Sequence, residues 1–410
     1  MSVTFKQTTL DNGMTILAEI DPAAHSAAAG FFVKAGARDE QTSLMGVSHY
    51  LEHMMFKGTD DLDADAINRG FDDIGASNDA YTSREMTCFY AHVIPEKLSA
   101  ATNMLGLMMR PALRNSDFDT EKNVILEEIA MYADNPFWVL YEACVERHYA
   151  AHGLAHRVLG TPESVAAMTR DSMEDYFNTR YSADNTVVAL AGKLDFDACV
   201  EQISTLCGSW KQTNPPRNTN RPTTAKDPFT LHDERVNRGY LFALCDAPSV
   251  TDDRRYAAAL LAQVLGGADN SRLHWALIET GLAEEAQAAY DGLDGCGDFF
   301  LYASGDPDKL DDIWDTISSE IKGLKDSLQE SDLEKLRSKM VTASTLGSER
   351  PSDRMQRLGR LWTMTGKYMP LEEELALIGL VRVDDLRAIC DEFPFDACTL
   401  GKMLPAESTD

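Results

Sequence analysis

Apolar and polar residues follow two rhythms along this chain. Residues 5–10 and 14–20 are short strand-like runs on either side of Asp11-Asn12-Gly13. That tripeptide predicts a β-hairpin, because Asn and Gly tolerate the left-handed backbone of a tight turn. Further strands are predicted at 27–34, 87–94 and 240–245. Residues 44–56 keep the other rhythm: they lack proline and place Val47, Leu51, Met54 and Met55 at spacings that can share a helical face. Lys57-Gly58-Thr59 then supplies a stop, with glycine where a C-terminal cap wants it. A second helix is predicted from Ser116, entered at a Ser/Asp cap and closed before Asn135-Pro136. A third, 254–265, ends at Gly266-Gly267, and Met104, Met108 and Met109 read as core filling.

The helix 44–56 carries His49 and His53 one turn apart on the same face, with Glu52 beside the second. Two imidazoles at i and i+4 can reach one zinc ion, which leaves the carboxylate over as a base. The order His-x-x-Glu-His inverts the more familiar zinc-hydrolase motif, and with nine histidines in the chain a chance match is improbable. A catalytic zinc takes three protein ligands and keeps one position open, so a third ligand is expected elsewhere. Glu121 and Glu128 lie two turns apart on the helix from Ser116 and share a face, while Glu127 is turned about 100° away. Taken alone, the three glutamates read better as a solvated acidic face. His25, His92, His148, His152, His156, His232 and His274 have no partner at ligand spacing and read as ordinary surface or core residues.

At 410 residues and 44% apolar content, the chain can bury two cores. The join is expected at 211–228, which is polar, proline-rich and without periodicity. This gives a domain 1–210 with the histidine motif, a linker 211–228 and a domain 229–410. In each half a strand leads through a loop to a helix that ends at glycine. Setting Gly58 against Gly267 puts Ala258, Leu261 and Ala262 where the first half has His49, Glu52 and His53. Glu334-Lys335 then falls opposite Glu121-Lys122, and Val341 opposite Glu128. The second half keeps the scaffold and loses the metal-binding residues.

The motif and the glutamates after it resemble the pitrilysin or insulinase family of zinc peptidases, which includes mitochondrial processing peptidase and insulin-degrading enzyme. The third ligand of that family follows its motif at about the distance by which Glu128 follows His53, so the resemblance makes His49, His53 and Glu128 the zinc ligands and Glu52 the general base. Glu121 matches the family's supporting glutamate, which orients a histidine or the bound water. The segment from Gly75 to Thr87 resembles the family's exposed strand that pairs with extended substrate, implying substrate contacts at Asn78, Ala80 and Tyr81. On its own residues it reads as a turn before the strand 87–94.

The resemblance further implies an α+β fold of two homologous α/β-sandwich domains, each a mixed or antiparallel sheet with helices, facing one another as a clamshell. The function it implies is a zinc endopeptidase acting on short or unfolded peptides. One departure stands out. Active relatives carry an arginine and a tyrosine that hold substrate after a Ser-Arg-Leu segment. Here Ser271-Arg272-Leu273 is present, but Ile278 and Glu284 stand where that pair is expected. Arg272 and Tyr290 are the available stand-ins. The chain is therefore expected to be a dimer, either a homodimer or the zinc-bearing half of a heterodimer whose zinc-free homologue supplies the pair. The alternative is a non-catalytic subunit or scaffold of the same fold, which the intact Glu52 disfavours.

A formal charge of −28 argues against nucleic acid as a partner and suits either general solubility or a chamber that attracts basic peptides. No stretch reads as membrane-spanning, and the first seven residues lack the charged start and apolar core of a signal peptide. Eight cysteines without close pairing or metal-type spacing favour free thiols in a reducing compartment. A bacterial-type cytoplasm is expected, unless a targeting segment has already been removed.

Overall fold

Of the pair Asn12-Gly13, the glycine alone takes the left-handed backbone, and Asn12 serves the turn through its side chain. Gly13 adopts φ 88°, and the Asn12 side chain accepts from the Met14 amide and donates to the Cys207 carbonyl. The turn joins β1 (Thr4–Thr9) to β2 (Thr15–Ile20) in antiparallel register. These strands belong to a computed structural model that describes residues 3–267 and 269–406; the ends of the two expected domains, 1–2 and 407–410, lie outside it.

The first sheet continues with β3 (Ala27–Val33), β4 (Ser77–Thr82), β5 (Thr87–Val93) and β6 (Thr186–Gly192), in the order β1-β2-β6-β3-β5-β4. Only β2 and β6 run parallel. Every residue of β3 is buried, as a strand covered on both faces requires. Ala27, Ala29, Phe31 and Val33 join the main core. Against Gly30 and Phe32 lies the helix Pro351–Thr365: Met355 fills the space above Gly30, and Gly359 makes room for the Phe32 ring.

The second sheet contains β7 (Phe229–Asp233), β8 (Gly239–Ala247), β9 (Glu285–Gly292), β10 (Gly297–Gly305) and β11 (Cys398–Pro405), ordered β7-β11-β8-β10-β9. Its one parallel pair is β7 with β11. Strand for strand this repeats β2-β6-β3-β5-β4, including the place of the parallel pair, so the chain is a duplication with β1 added to the first copy. Leu241, Ala243 and Cys245 of β8 face one core, while Phe242 and Leu244 meet the helix Pro136–Tyr149 through Leu140 and Cys144 on the other.

The two units do not follow the expected division at 211–228. The first comprises 1–129, 156–218 and 345–369; the second comprises 130–155, 219–344 and 370–410. Helix Pro136–Tyr149, from the first half of the sequence, packs in the second unit, and Pro351–Thr365, from the second half, packs in the first. An amphipathic helix has an apolar face to bury, but its periodicity does not say against which sheet. The expected linker has no helix or strand, yet its first part is held fast. Arg217 pairs with Asp39 through both nitrogens of its fork and donates to the Glu85 carbonyl, and Arg38 donates to the Asn218 carbonyl.

Candidate metal centre and active site

The histidine helix runs from Val47 to Met55, shorter at its start than predicted, because Gly46 takes the left-handed φ of 94° and cannot continue a helix. Gly46 also has no side chain to cap the first turn. Buried Glu40 supplies the missing acceptor, taking the Gly46 amide at 2.7 Å and the Ser48 amide at 2.8 Å. Ser48 Oγ lies 2.8 Å from the Tyr176 hydroxyl, so both sides of the helix start are fixed. Tyr50 stacks on Phe118 with ring centroids 4.9 Å apart and donates its hydroxyl to the Phe118 carbonyl. That contact docks the histidine helix on the helix Asn115–Tyr132, whose buried face carries Phe118, Glu121 and Ile125.

One turn beyond that face, Glu128 meets the two histidines. Its Oε2 lies 3.8 Å from His49 Nε2 and 3.6 Å from His53 Nε2, and one ligand atom from each residue falls within 4.8 Å of the other two. A tetrahedral ion held at roughly 2.1 Å spaces neighbouring ligand atoms about 3.4 Å apart, so the cluster has the dimensions of a zinc site. Its donor set of two imidazoles and one carboxylate is also zinc chemistry. Burial and the nearby His53 push His49 down to about 3, which keeps it neutral and able to ligate. Its Nδ1 is buried without a hydrogen-bond partner among the described residues, and its Nε2 is the nitrogen that faces Glu128.

His53 Nδ1 sits 2.9 Å from Glu121 Oε1, and the other oxygen of that carboxylate lies 2.6 Å from Lys57 Nζ. Burial alone would raise Glu121, but the hydrogen bonds from His53 and Lys57 outweigh it and hold the carboxyl below its ordinary value. A histidine whose Nδ1 faces a carboxylate is left with Nε2 free for metal. Glu127 is exposed, as its place on the helix predicts.

Glu52 is anchored from another element. Thr82, the last residue of β4, donates its hydroxyl to Glu52 Oε2 at 2.5 Å. Burial raises the Glu52 carboxyl above its ordinary value against the lowering effect of that bond. Thr82 and Glu40 are the residues that sequence reasoning missed: each lies in a polar stretch of ordinary composition, and only a contact distant in sequence gives it a role.

The segment 77–82 is a strand rather than a turn, and it lies at the end of its sheet. Asn78 is opposite Ala91, Ala80 opposite Phe89 and Tyr81 opposite Cys88, which leaves the outer edge of β4 without a strand partner among the described residues. The Tyr81 hydroxyl donates to Gln356. In the second unit, Arg272 donates to the Ser327 carbonyl and pairs with Asp332 at 3.2 Å, and Tyr290 donates to the Pro248 carbonyl. Both have structural employment there. Ala258, Leu261 and Ala262 are buried on the helix Arg255–Gly266, so the second copy has core where the first has its metal cluster. Among the described residues His49, His53 and Glu128 form the one such cluster.

The family profile described as "Insulinase (Peptidase family M16)" matches residues 15–162, and that of the "Peptidase M16 inactive domain" matches 167–340. The chain is 31% identical over 405 residues to an uncharacterized zinc protease of Mycobacterium leprae, spanning 96% of this chain and 91% of that protein. It belongs to the insulinase family, peptidase family M16. An uncharacterized zinc protease of Bacillus subtilis is 30% identical over 387 residues, spanning 93% of the M16 chain described here and 94% of its own length. A solved protease from Helicobacter pylori shares the fold at a TM-score of 0.92 and 19% identity, over 99% of this chain and 100% of that one. The Mycobacterium leprae and Bacillus subtilis relatives are named zinc proteases, and the His49, His53 and Glu128 cluster of this M16 chain has a donor set that fits that ion. No helix among the described residues is long and apolar enough to cross a membrane.

Proposed function

We propose that this M16 chain is a zinc endopeptidase that hydrolyses short or unfolded peptides, with His49, His53 and Glu128 as metal ligands and Glu52 as general base. The observation that carries the reading is the convergence of the two Nε2 atoms and the Glu128 carboxylate beside a half-buried carboxylate, Glu52, that takes no part in the ligand set. Zinc, when bound, lowers the pKa of a water towards about 7 and polarises the scissile carbonyl.

The protein's own residues do the rest. Glu52, its carboxyl raised by burial, accepts the water's proton and delivers it to the leaving amine. Thr82 fixes one carboxylate oxygen and leaves the other to work. Glu121 orients His53. The free edge of β4 around Asn78, Ala80 and Tyr81 offers main-chain hydrogen bonds to an extended peptide, a mode that tolerates many sequences.

Ile278 and Glu284, in place of the family's arginine and tyrosine, favour a dimer in which a zinc-free homologue supplies those groups. Cysteines that form no disulfide among the described residues suit a bacterial-type cytoplasm.

Glu52→Gln tests the reading, because the amide keeps the shape but cannot take a proton. The variant is expected to retain zinc and peptide binding and to lose hydrolysis. Cleavage at the wild-type rate would put the base elsewhere.

A further inference from the structure

Cys245 lies within β8 and Cys398 opens β11, and the antiparallel register sets them directly opposite one another. Opposite residues on neighbouring strands share a face, and both cysteines lie in the core of Leu241, Ala243 and Leu400. Cys144 faces the other core of the same sheet. Opposed antiparallel residues have Cα atoms about 4.5–5.5 Å apart, inside the roughly 4.4–6.8 Å that a disulfide spans. No other two cysteines are opposed in the registers of the described strands.

The two thiols are chemically unequal. Cys245 is fully buried, which pushes its thiol up, and it donates to the Phe395 carbonyl at 3.2 Å; its closeness to Cys398 holds that thiol below the ordinary value despite burial. The Lys226 ammonium, 2.8 Å from Asp246, favours the thiolate at both. Cys398 is the sulfur better placed to attack, and the register sets Cys245 opposite it, where the second bond must form.

We propose that Cys245 and Cys398 are an oxidative modification site, converted by peroxide into a cross-strand disulfide. The Cys398 sulfur attacks one peroxide oxygen, the O–O bond breaks, and the departing hydroxide takes up a proton as water, leaving a sulfenic acid. The Cys245 sulfur then displaces that hydroxyl as a second water and the S–S bond forms. The thiols together lose two electrons and two protons, and the peroxide becomes two waters. The bond closes a loop from 245 to 398, which includes the helix Pro351–Thr365 that packs in the first unit. Closing so long a loop restrains the unfolded chain, so the oxidised protein melts higher than the reduced one.

The full zinc-loaded chain, treated with hydrogen peroxide under native conditions and then denatured in alkylating agent, provides the test. The expected result is a fall from eight titratable thiols to six, a peptide map linking Cys245 to Cys398, and a melting temperature raised by several degrees. Cys398→Ser and Cys398→Ala should each lose both the link and the rise. Eight alkylatable thiols after treatment, or oxidation confined to the more exposed Cys390 with Cys245 and Cys398 still alkylated separately, would overturn the proposal; because this map is read on the wild-type chain, it does not depend on the variants folding.

Discussion

Glu121 holds His53 by one carboxylate oxygen, 2.9 Å from Nδ1, and Lys57 by the other, 2.6 Å from Nζ. A carboxylate so placed fixes the ring orientation and raises the basicity of the nitrogen that faces the metal. Glu121→Gln keeps the shape but loses the charge, and zinc affinity is expected to fall about 10- to 100-fold, read by competition with a chromogenic chelator. His53→Ala should go further and leave only background zinc by elemental analysis, since two ligands rarely hold a catalytic ion. An unchanged affinity in Glu121→Gln would reduce Glu121 to a partner of Lys57.

The clustering of the two histidines was legible because it is local. His49, Glu52 and His53 share one helix, and helical geometry places them without knowledge of the fold. The hairpin at Asn12-Gly13 and the strand at 27–33 were legible for the same reason. Glu128 needed the family resemblance, because nothing in an acidic helix says which carboxylate meets a histidine far away in sequence. The exchange of Pro136–Tyr149 and Pro351–Thr365 between the units was not legible at all, since either helix would bury its apolar face equally well on either sheet. The strand 77–82 was hidden by its composition: Ser77, Asn78 and Asp79 are poor strand formers, and pairing with β5 overrides that preference.

Glu40 links the stability of the histidine helix to pH. Its carboxyl is pushed up to about 8 because burial outweighs the hydrogen bonds from Ser48 and Gly46. A carboxyl raised in the folded state binds its proton more tightly there than in the unfolded chain, where its value is near 4.5. Its contribution is therefore complete below about 4.5 and lost as pH rises through 8. Glu40→Gln is permanently neutral and lacks this slope. Between pH 5 and pH 8 the wild type should lose up to a few kcal/mol relative to Glu40→Gln, at about 1.4 kcal/mol per unit, by urea unfolding in the presence of chelator. A stability difference that stays constant across this range would mean that Glu40 is ionised throughout.

The exchanged helix gives a prediction about packing. A methyl added at Gly359 would overlap the Phe32 ring, which is fully buried in β3 and has little room to move. Gly359→Ala is therefore expected to destabilise the first unit by about 1–3 kcal/mol despite alanine's better helix propensity. Gly323, inside the helix Leu310–Ser327, has nothing within 4 Å of the added methyl, and Gly323→Ala should stabilise by about 0.5–1 kcal/mol. Urea midpoints moving in the same direction for both variants would show that propensity, and not the contact with Phe32, decides the sign.

The last prediction rests on the proposal that Ile278 and Glu284 stand where the family carries its arginine and tyrosine. Ile278 ends a short helical turn, His274–Ile278, with an apolar side chain, and Glu284 pairs with Arg238 at 2.8 Å. Neither can donate a hydrogen bond to a developing oxyanion, and such donors are typically worth ~10²–10³ in rate. Arg272 and Tyr290 are already engaged, with Asp332 and with the Pro248 carbonyl. The isolated chain should therefore bind zinc fully yet turn peptides over slowly, and the double variant Ile278→Arg, Glu284→Tyr should raise kcat at least about tenfold with unchanged zinc content. A zinc-free homologue mixed with the wild-type chain should produce a comparable rise. Vigorous hydrolysis by the wild-type chain alone, abolished by Arg272→Ala or Tyr290→Phe, would instead show that these residues leave their present partners to serve the substrate.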